Sequence, residues 1–114
     1  TEETRAMCDY EFFRAMKPTA IFLNVTRGEI IDGPGLEQAL REGIIGGAAL
    51  DVAPIEPLPA DSPLWSFDNC VMTPHTAGAS QYRGRRNLER FCRNLVALRE
   101  GRDLEGVVDK QAGF

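Results

Sequence analysis

The sequence predicts an α/β fold, in which about three strands with flanking helices form part of a doubly wound parallel sheet and a long C-terminal helix follows. Residues 20–25, 46–52 and 70–73 are short apolar runs, as expected of strands covered on both faces. A helix-sized segment joins the first two runs into a βαβ unit, which requires parallel strands and a right-handed crossover. From residue 80 to about residue 100, apolar side chains recur at helical spacing.

The two short helices have recognisable ends in the sequence. Asp9 can cap a first helix that carries Phe13, and that helix must end before Pro18. A second helix is predicted to begin near Pro34, because proline is favoured in the first helical turn, and Gly43 can terminate it.

The rest of the chain divides into a loop, a long helix and a tail. Residues 53–63 contain four prolines and are predicted to form a stiff surface loop. The long helix has an apolar stripe, which we expect to be core or interdomain, and a basic stripe, which we expect to be solvated. Residues 101–114 are predicted to be an irregular tail. The apolar stripe consists of Leu88, Phe91, Cys92 and Leu95, and the basic stripe of Arg83, Arg86, Arg90 and Arg93.

Composition excludes several classes of function. A net charge of -4 gives no general attraction to nucleic acid or anionic lipid. Cys8, Cys70 and Cys92 are widely spaced and form no CxxC pair, so neither disulfides nor a metal site are predicted. Apolar runs fall short of the roughly 20 residues that span a bilayer, and no secretion signal opens the chain. We expect a cytoplasmic protein without nucleic-acid or membrane partners.

Three side chains suited to moving a proton and a hydride follow the ends of the predicted strands. Arg27 comes just after the first strand, Glu56 lies in the loop after the second, and His75 follows the third. The carboxyl ends of parallel strands meet at one edge of a sheet, where open α/β sheets bind their ligands. The sequence therefore predicts an active site at this edge.

Three motifs in a fixed order carry a resemblance to a known family. Residues 24–28 have the sequence NVTRG, residues 47–52 have GAALDV followed by EPLP at 56–59, and residues 73–78 have TPHTAG. Together they resemble the C-terminal part of the D-isomer-specific 2-hydroxyacid dehydrogenases, and the resemblance runs nearly end to end.

This resemblance implies a division of the chain and a missing part. Residues 1–78 would be the C-terminal part of a Rossmann-like dinucleotide-binding domain, and residues 79–114 a helix and tail returning to the substrate domain. The Gly-rich turn that holds the pyrophosphate lies upstream in this family, so we expect the chain to be a fragment that is inactive alone. The intact protein is expected to be a homodimer.

The catalytic roles that the resemblance implies also make chemical sense. Arg27 would bind the carboxylate of a 2-oxo acid with two parallel bonds, because guanidinium matches carboxylate geometry. His75 would be the general acid in reduction and the base in oxidation, with Glu56 paired to its imidazole to favour the protonated form. Each residue alone is more often a solvated charge or an ordinary loop residue. Their joint occurrence in the family's order favours the catalytic interpretation.

The resemblance further implies NAD as the cofactor, with NADP not excluded. Asp51 would contact the nicotinamide carboxamide or ribose, and two backbone segments would lie against the nicotinamide end. The implied cofactor contacts are Val25, Thr26, Arg27, Asp51, His75, Thr76, Ala77 and Gly78.

A second hypothesis comes from a different class of function. Some relatives of this fold are NAD(H)-sensing transcriptional co-regulators, and these can keep the same three side chains. Turnover of a 2-oxo acid separates the two hypotheses, because a sensor binds the cofactor with negligible turnover.

Overall fold

The computed structural model describes residues 1–113 and contains two compact units, residues 2–77 and a second comprising Thr1 with the residues from Gly78 onward. In the first unit, β1 (Ile21–Asn24), β2 (Gly47–Leu50) and β3 (Cys70–Met72) form one sheet in the order β1-β2-β3. Both pairs of neighbours are parallel, which confirms the predicted α/β architecture, although each strand is shorter than its apolar run.

Helix α1 (Tyr10–Arg14) begins where the sequence predicts, because the Asp9 side chain accepts a hydrogen bond from the Phe12 N–H at 2.8 Å. Helix α2 (Gly33–Arg41) has Pro34 in its first turn. Its N-cap is Asp32, which the sequence analysis did not identify and which accepts from the Gly35 N–H at 3.0 Å. Short 3-10 turns occupy Glu2–Thr4, Gly28–Ile30 and Pro63–Ser66.

The core of the first unit lies on one face of the sheet. Phe13 of α1 meets Phe22 of β1 edge-to-face with ring centroids 5.1 Å apart, and the apolar residues of α2 join the same cluster. On the opposite face Ile21 and Leu23 are exposed, as is Val71 of β3. The prediction of strands covered on both faces is therefore wrong for residues 2–77. The helices α1 and α2 both contribute to this one core cluster, so neither of them covers the second face of the sheet.

The second unit contains the predicted amphipathic helix, α3 (Arg83–Arg99), which begins three residues later than expected. Leu88, Phe91 and Leu95 of its apolar stripe are exposed. Residues 101–113 form neither helix nor strand, as predicted, and the last residue of the predicted tail, 114, lies outside the described residues. Asn94 and Glu105 exchange side-chain-to-backbone hydrogen bonds that tie this segment to α3. Within residues 1–113, no helix is long and apolar enough to cross a membrane.

Candidate active site

The three strands end at the same level, and the predicted site residues follow those ends. Asn24 pairs in register with Leu50, and Leu50 with Met72. Arg27 lies three residues beyond β1, Glu56 six beyond β2 and His75 three beyond β3. All three residues therefore emerge at the carboxyl edge of the sheet, the edge at which parallel α/β sheets bind ligands.

Glu56 and His75 are in direct contact. The Nδ1 of His75 lies 2.8 Å from Oε2 of Glu56, and Oε1 of Glu56 accepts from the Ala53 N–H at 3.0 Å. The hydrogen bond with His75, aided by that from Ala53, lowers the pKa of Glu56. Glu56 is therefore ionised at neutral pH and can only accept, so the ring hydrogen sits on Nδ1. This leaves Nε2 of His75 as the nitrogen that can exchange a proton with a ligand.

The backbone of His75 is held in an unusual conformation. Its φ of 54° lies in the left-handed region, which costs a residue with a side chain about 1–2 kcal/mol. The His75 N–H donates to the carbonyl oxygens of Asp51 at 2.9 Å and of Thr73 at 3.0 Å. These bonds to the end of β2 and to its own turn hold the ring towards Glu56 despite the strain.

The carboxylate of Asp51 organises the turn that carries His75. Its Oδ1 accepts from the Thr73 hydroxyl and from the Thr76 N–H at 2.9 Å, and its Oδ2 accepts from the Ala77 N–H at 2.7 Å. These bonds, chiefly that from Thr73, lower the pKa of the buried Asp51. Three of the roughly four acceptor positions of the carboxylate are thus used within the protein. A contact between Asp51 and the cofactor stays a prediction.

Arg27 lies on the same edge but is not part of the Glu56–His75 contact. Its Nη1 donates to the backbone oxygen of Thr26 at 2.8 Å, and its side chain is otherwise solvated. Among the ion pairs of residues 1–113 none involves Arg27. The structure therefore joins two of the three predicted groups and leaves the guanidinium exposed for an anionic ligand.

Gly28 connects the Arg27 turn to the Glu56 loop. A Cβ at this buried glycine would lie 1.6 Å from the carbonyl oxygen of Ala53, so no other residue fits without moving one of the two backbones. Ala53 is also the residue whose N–H binds Glu56. In the sequence, Gly28 is the last residue of the NVTRG motif, and its position immediately after Arg27 is the signal for this contact.

A cavity of about 580 Å³ lies beside the Glu56–His75 pair. Its volume falls within the range of small-molecule sites, roughly 300–1,000 Å³. One wall belongs to the Pro-rich loop, which Trp65 fastens by donating from Nε1 to the Pro59 carbonyl oxygen at 2.9 Å. The lining is mainly apolar and includes Leu50, Pro57, Leu58, Trp65, Met72 and Pro74.

Most of the predicted cofactor contacts in residues 2–77 are exposed. Val25, Thr26 and Arg27 are exposed after β1, and Thr76 is exposed after His75. Asp51 is buried. Gly78, the last predicted contact, belongs to the second unit.

A parallel sheet whose carboxyl edge carries a paired carboxylate and imidazole is consistent with part of a ligand-binding α/β domain. Residues 1–77 match the family model described as "D-isomer specific 2-hydroxyacid dehydrogenase, NAD binding domain". The chain belongs to this family, as its motifs indicated.

Relatives agree with this assignment. The chain is 42% identical over 111 residues to a glyoxylate reductase of Korarchaeum cryptofilum, covering 97% of the chain and 33% of the relative. A D-isomer specific 2-hydroxyacid dehydrogenase from Xanthobacter autotrophicus Py2, solved with NADPH and MES, superposes with a TM-score of 0.89 at 37% identity, covering 100% of the chain and 46% of that protein.

A third relative is an NADPH-dependent glyoxylate/hydroxypyruvate reductase from Sinorhizobium meliloti, solved with NADP and sulfate. It gives a TM-score of 0.88 at 32% identity and covers 100% of the chain and 37% of that protein. The chain thus spans about a third of the length of the curated relative. Residues 1–77 are the part of the chain that matches the NAD-binding domain of this family.

Proposed function

We propose that the protein containing this chain is an NAD(P)-dependent oxidoreductase that interconverts small 2-oxo acids and D-2-hydroxy acids. The observation that carries the proposal is the 2.8 Å contact between Nδ1 of His75 and Oε2 of Glu56 at the ligand-binding edge of a domain of this family. Because relatives are named glyoxylate and glyoxylate/hydroxypyruvate reductases, we propose glyoxylate and hydroxypyruvate as substrates.

His75 is proposed to transfer the proton. In reduction, Nε2 of the protonated ring gives its proton to the carbonyl oxygen at C2 of the substrate while C2 accepts a hydride, which yields the 2-hydroxy acid. Glu56 holds Nδ1 and compensates the charge of the imidazolium with its own negative charge. In oxidation Nε2 removes the hydroxyl proton. A positioned acid or base of this kind contributes roughly 10²- to 10⁴-fold to the rate.

Arg27 is proposed to bind the substrate carboxylate. Its guanidinium is permanently charged, exposed and free of any carboxylate partner among the described residues, so binding requires no ion pair to be broken. Two parallel N–H···O bonds would fix the plane of the carboxylate and so orient the adjacent C2.

Bound NAD(P)H supplies the hydride for this reaction. We propose that Val25, Thr26, Arg27, Asp51, His75, Thr76, Ala77 and Gly78 contact its nicotinamide end, as the family resemblance implies. We further propose that residues 79–114 return to a substrate domain, and that the intact protein is a cytoplasmic homodimer.

The test is a turnover assay with the full-length protein. Oxidation of NADH and of NADPH is followed with glyoxylate and with hydroxypyruvate, and the glycerate formed from hydroxypyruvate is analysed for its enantiomer. We expect turnover well above the background without enzyme and D-glycerate as the product. Binding of NADH with no turnover of any small 2-oxo acid would contradict the proposal and favour the co-regulator hypothesis.

A further inference from the structure

We propose that Asn24 is a positioning residue for Arg27, and that its side-chain amide holds the turn from which the substrate-binding guanidinium extends. This inference rests on the proposed role of Arg27 in binding the substrate carboxylate. In the sequence, Asn24 is the first residue of the NVTRG motif.

The amide of Asn24 bonds to the turn on both sides. Its Nδ2 donates to the carbonyl oxygen of Arg27 at 2.9 Å. Its Oδ1 accepts from the N–H of Thr26 at 3.0 Å and from the Thr26 hydroxyl at 2.8 Å. One buried side chain therefore fixes the peptide before Thr26 and the carbonyl of Arg27 at the same time.

The burial of Asn24 argues for a specific purpose. Only 2% of its surface is exposed, and it follows Phe22 on the covered face of β1, in register with the buried Leu50. An apolar residue would suit this position, since burying an amide is unfavourable unless its polar atoms are bonded. Both acceptor positions and one of the two donors of the amide are instead used, and the partners belong to Thr26 and Arg27, the two residues that position the guanidinium.

Arg27 depends on this turn because no regular structure holds it. Its backbone is extended, with φ of -141° and ψ of 142°, between the end of β1 and the 3-10 turn that begins at Gly28. The guanidinium itself donates to the carbonyl oxygen of Thr26, a residue that Asn24 binds. Displacing Thr26 would therefore move both the backbone of Arg27 and its guanidinium group.

The kinetic test compares two variants of Asn24 with a control. Asn24→Leu keeps the branched shape of the side chain, with a larger volume, but makes no hydrogen bonds. Asn24→Asp keeps the acceptor for Thr26 but loses the donor for Arg27. In the full-length protein we expect both to raise the KM for the 2-oxo acid about 10- to 100-fold, while kcat changes less than about twofold. Asn94→Ala removes a similar amide-to-backbone clamp in α3 and should leave these constants unchanged.

A second measurement does not require enzymatic activity. Hydrogen–deuterium exchange should be faster at the amides of residues 26–28 in Asn24→Leu, and unchanged there in Asn94→Ala. Unchanged exchange at these amides would overturn the proposal whatever the activity. Faster exchange with an unaltered KM for the 2-oxo acid would also overturn it, because Asn24 would then hold the loop without serving Arg27. A wild-type protein with no turnover would refute the proposed function alone, and exchange would still decide whether Asn24 holds this turn.

Discussion

The turns that follow β1 and β3 are built alike but held by different chemistry. A buried side chain at the end of a strand bonds the backbone of each turn: the neutral amide of Asn24 for the Arg27 turn, and the carboxylate of Asp51 for the His75 turn. The turn with the permanent charge is thus held by a group that does not titrate. The His75 turn is held by the carboxylate of Asp51, whose pKa these bonds lower, so the pH sensitivity of the two turns is concentrated in the His75 turn.

The largest effect should come from removing the group that moves the proton. His75→Ala is expected to lower kcat roughly 10²- to 10⁴-fold, because no other described residue near Glu56 can replace an imidazole as general acid. The Kd for NADH should hardly change, which fluorescence titration would check. Wild-type turnover in this variant would show that His75, in the turn after β3, does not transfer the proton.

A smaller effect is expected in the other turn. Arg27→Lys retains the charge but replaces a planar two-pronged donor by a point charge, so the KM for the 2-oxo acid should rise about 10- to 100-fold. The decrease in kcat should be smaller than the increase in KM. Steady-state kinetics with glyoxylate would measure both constants, and an unaltered KM would contradict a carboxylate-binding role for Arg27.

Glu56→Gln tests the electrostatic contribution to the His75 turn. Losing the carboxylate that faces Nδ1 removes the favourable interaction with an imidazolium, so the alkaline limb of the pH profile for reduction should move to lower pH by about one unit. Profiles of kcat/KM from pH 5 to 9 for both proteins would reveal the shift, and superimposable profiles would contradict the pairing argument.

Asp51→Asn tests how the carboxylate stabilises its turn. The folded-state pKa of Asp51 is lowered, so the stability it contributes is present above its unfolded value near 3.9 and is lost as the pH falls through the folded value. The variant should therefore melt below the wild type at pH 7, with the difference shrinking below about pH 4. Melting curves at several pH values would check this. A constant difference at all pH values would mean that the charge of Asp51 is not responsible.

Much of this arrangement can be predicted from the sequence. Apolar runs locate the strands, and the short crossover through α2 requires β1 and β2 to be parallel, which places Arg27 and Glu56 on one edge. His75 joins them because β3 also pairs parallel to β2. That these residues share an edge follows from topology alone. Their mutual contacts do not, because Glu56 reaches His75 only through the path of the Pro-rich loop.

Other features depend on details that a residue pattern does not contain. The bonds of Asn24 and the fit of Gly28 against Ala53 depend on loop geometry at the scale of an ångström. The exposed face of β1 shows a different limit of prediction from sequence. Ile21 and Leu23 indicate that the strand is suited to burial on both sides, but a pattern of apolar residues does not specify which other residues cover it.

Because of the positive φ of His75, stability and activity favour different residues at this position. Glycine adopts this conformation without the clash of a Cβ. The free energy of unfolding of His75→Gly should therefore exceed that of His75→Ala by about 1 kcal/mol, and His75→Gly should melt at a higher temperature. Selection for thermal resistance alone would then favour glycine here and abolish the proton donor. That a histidine occupies such a position suggests that function, rather than folding, has determined the choice of residue.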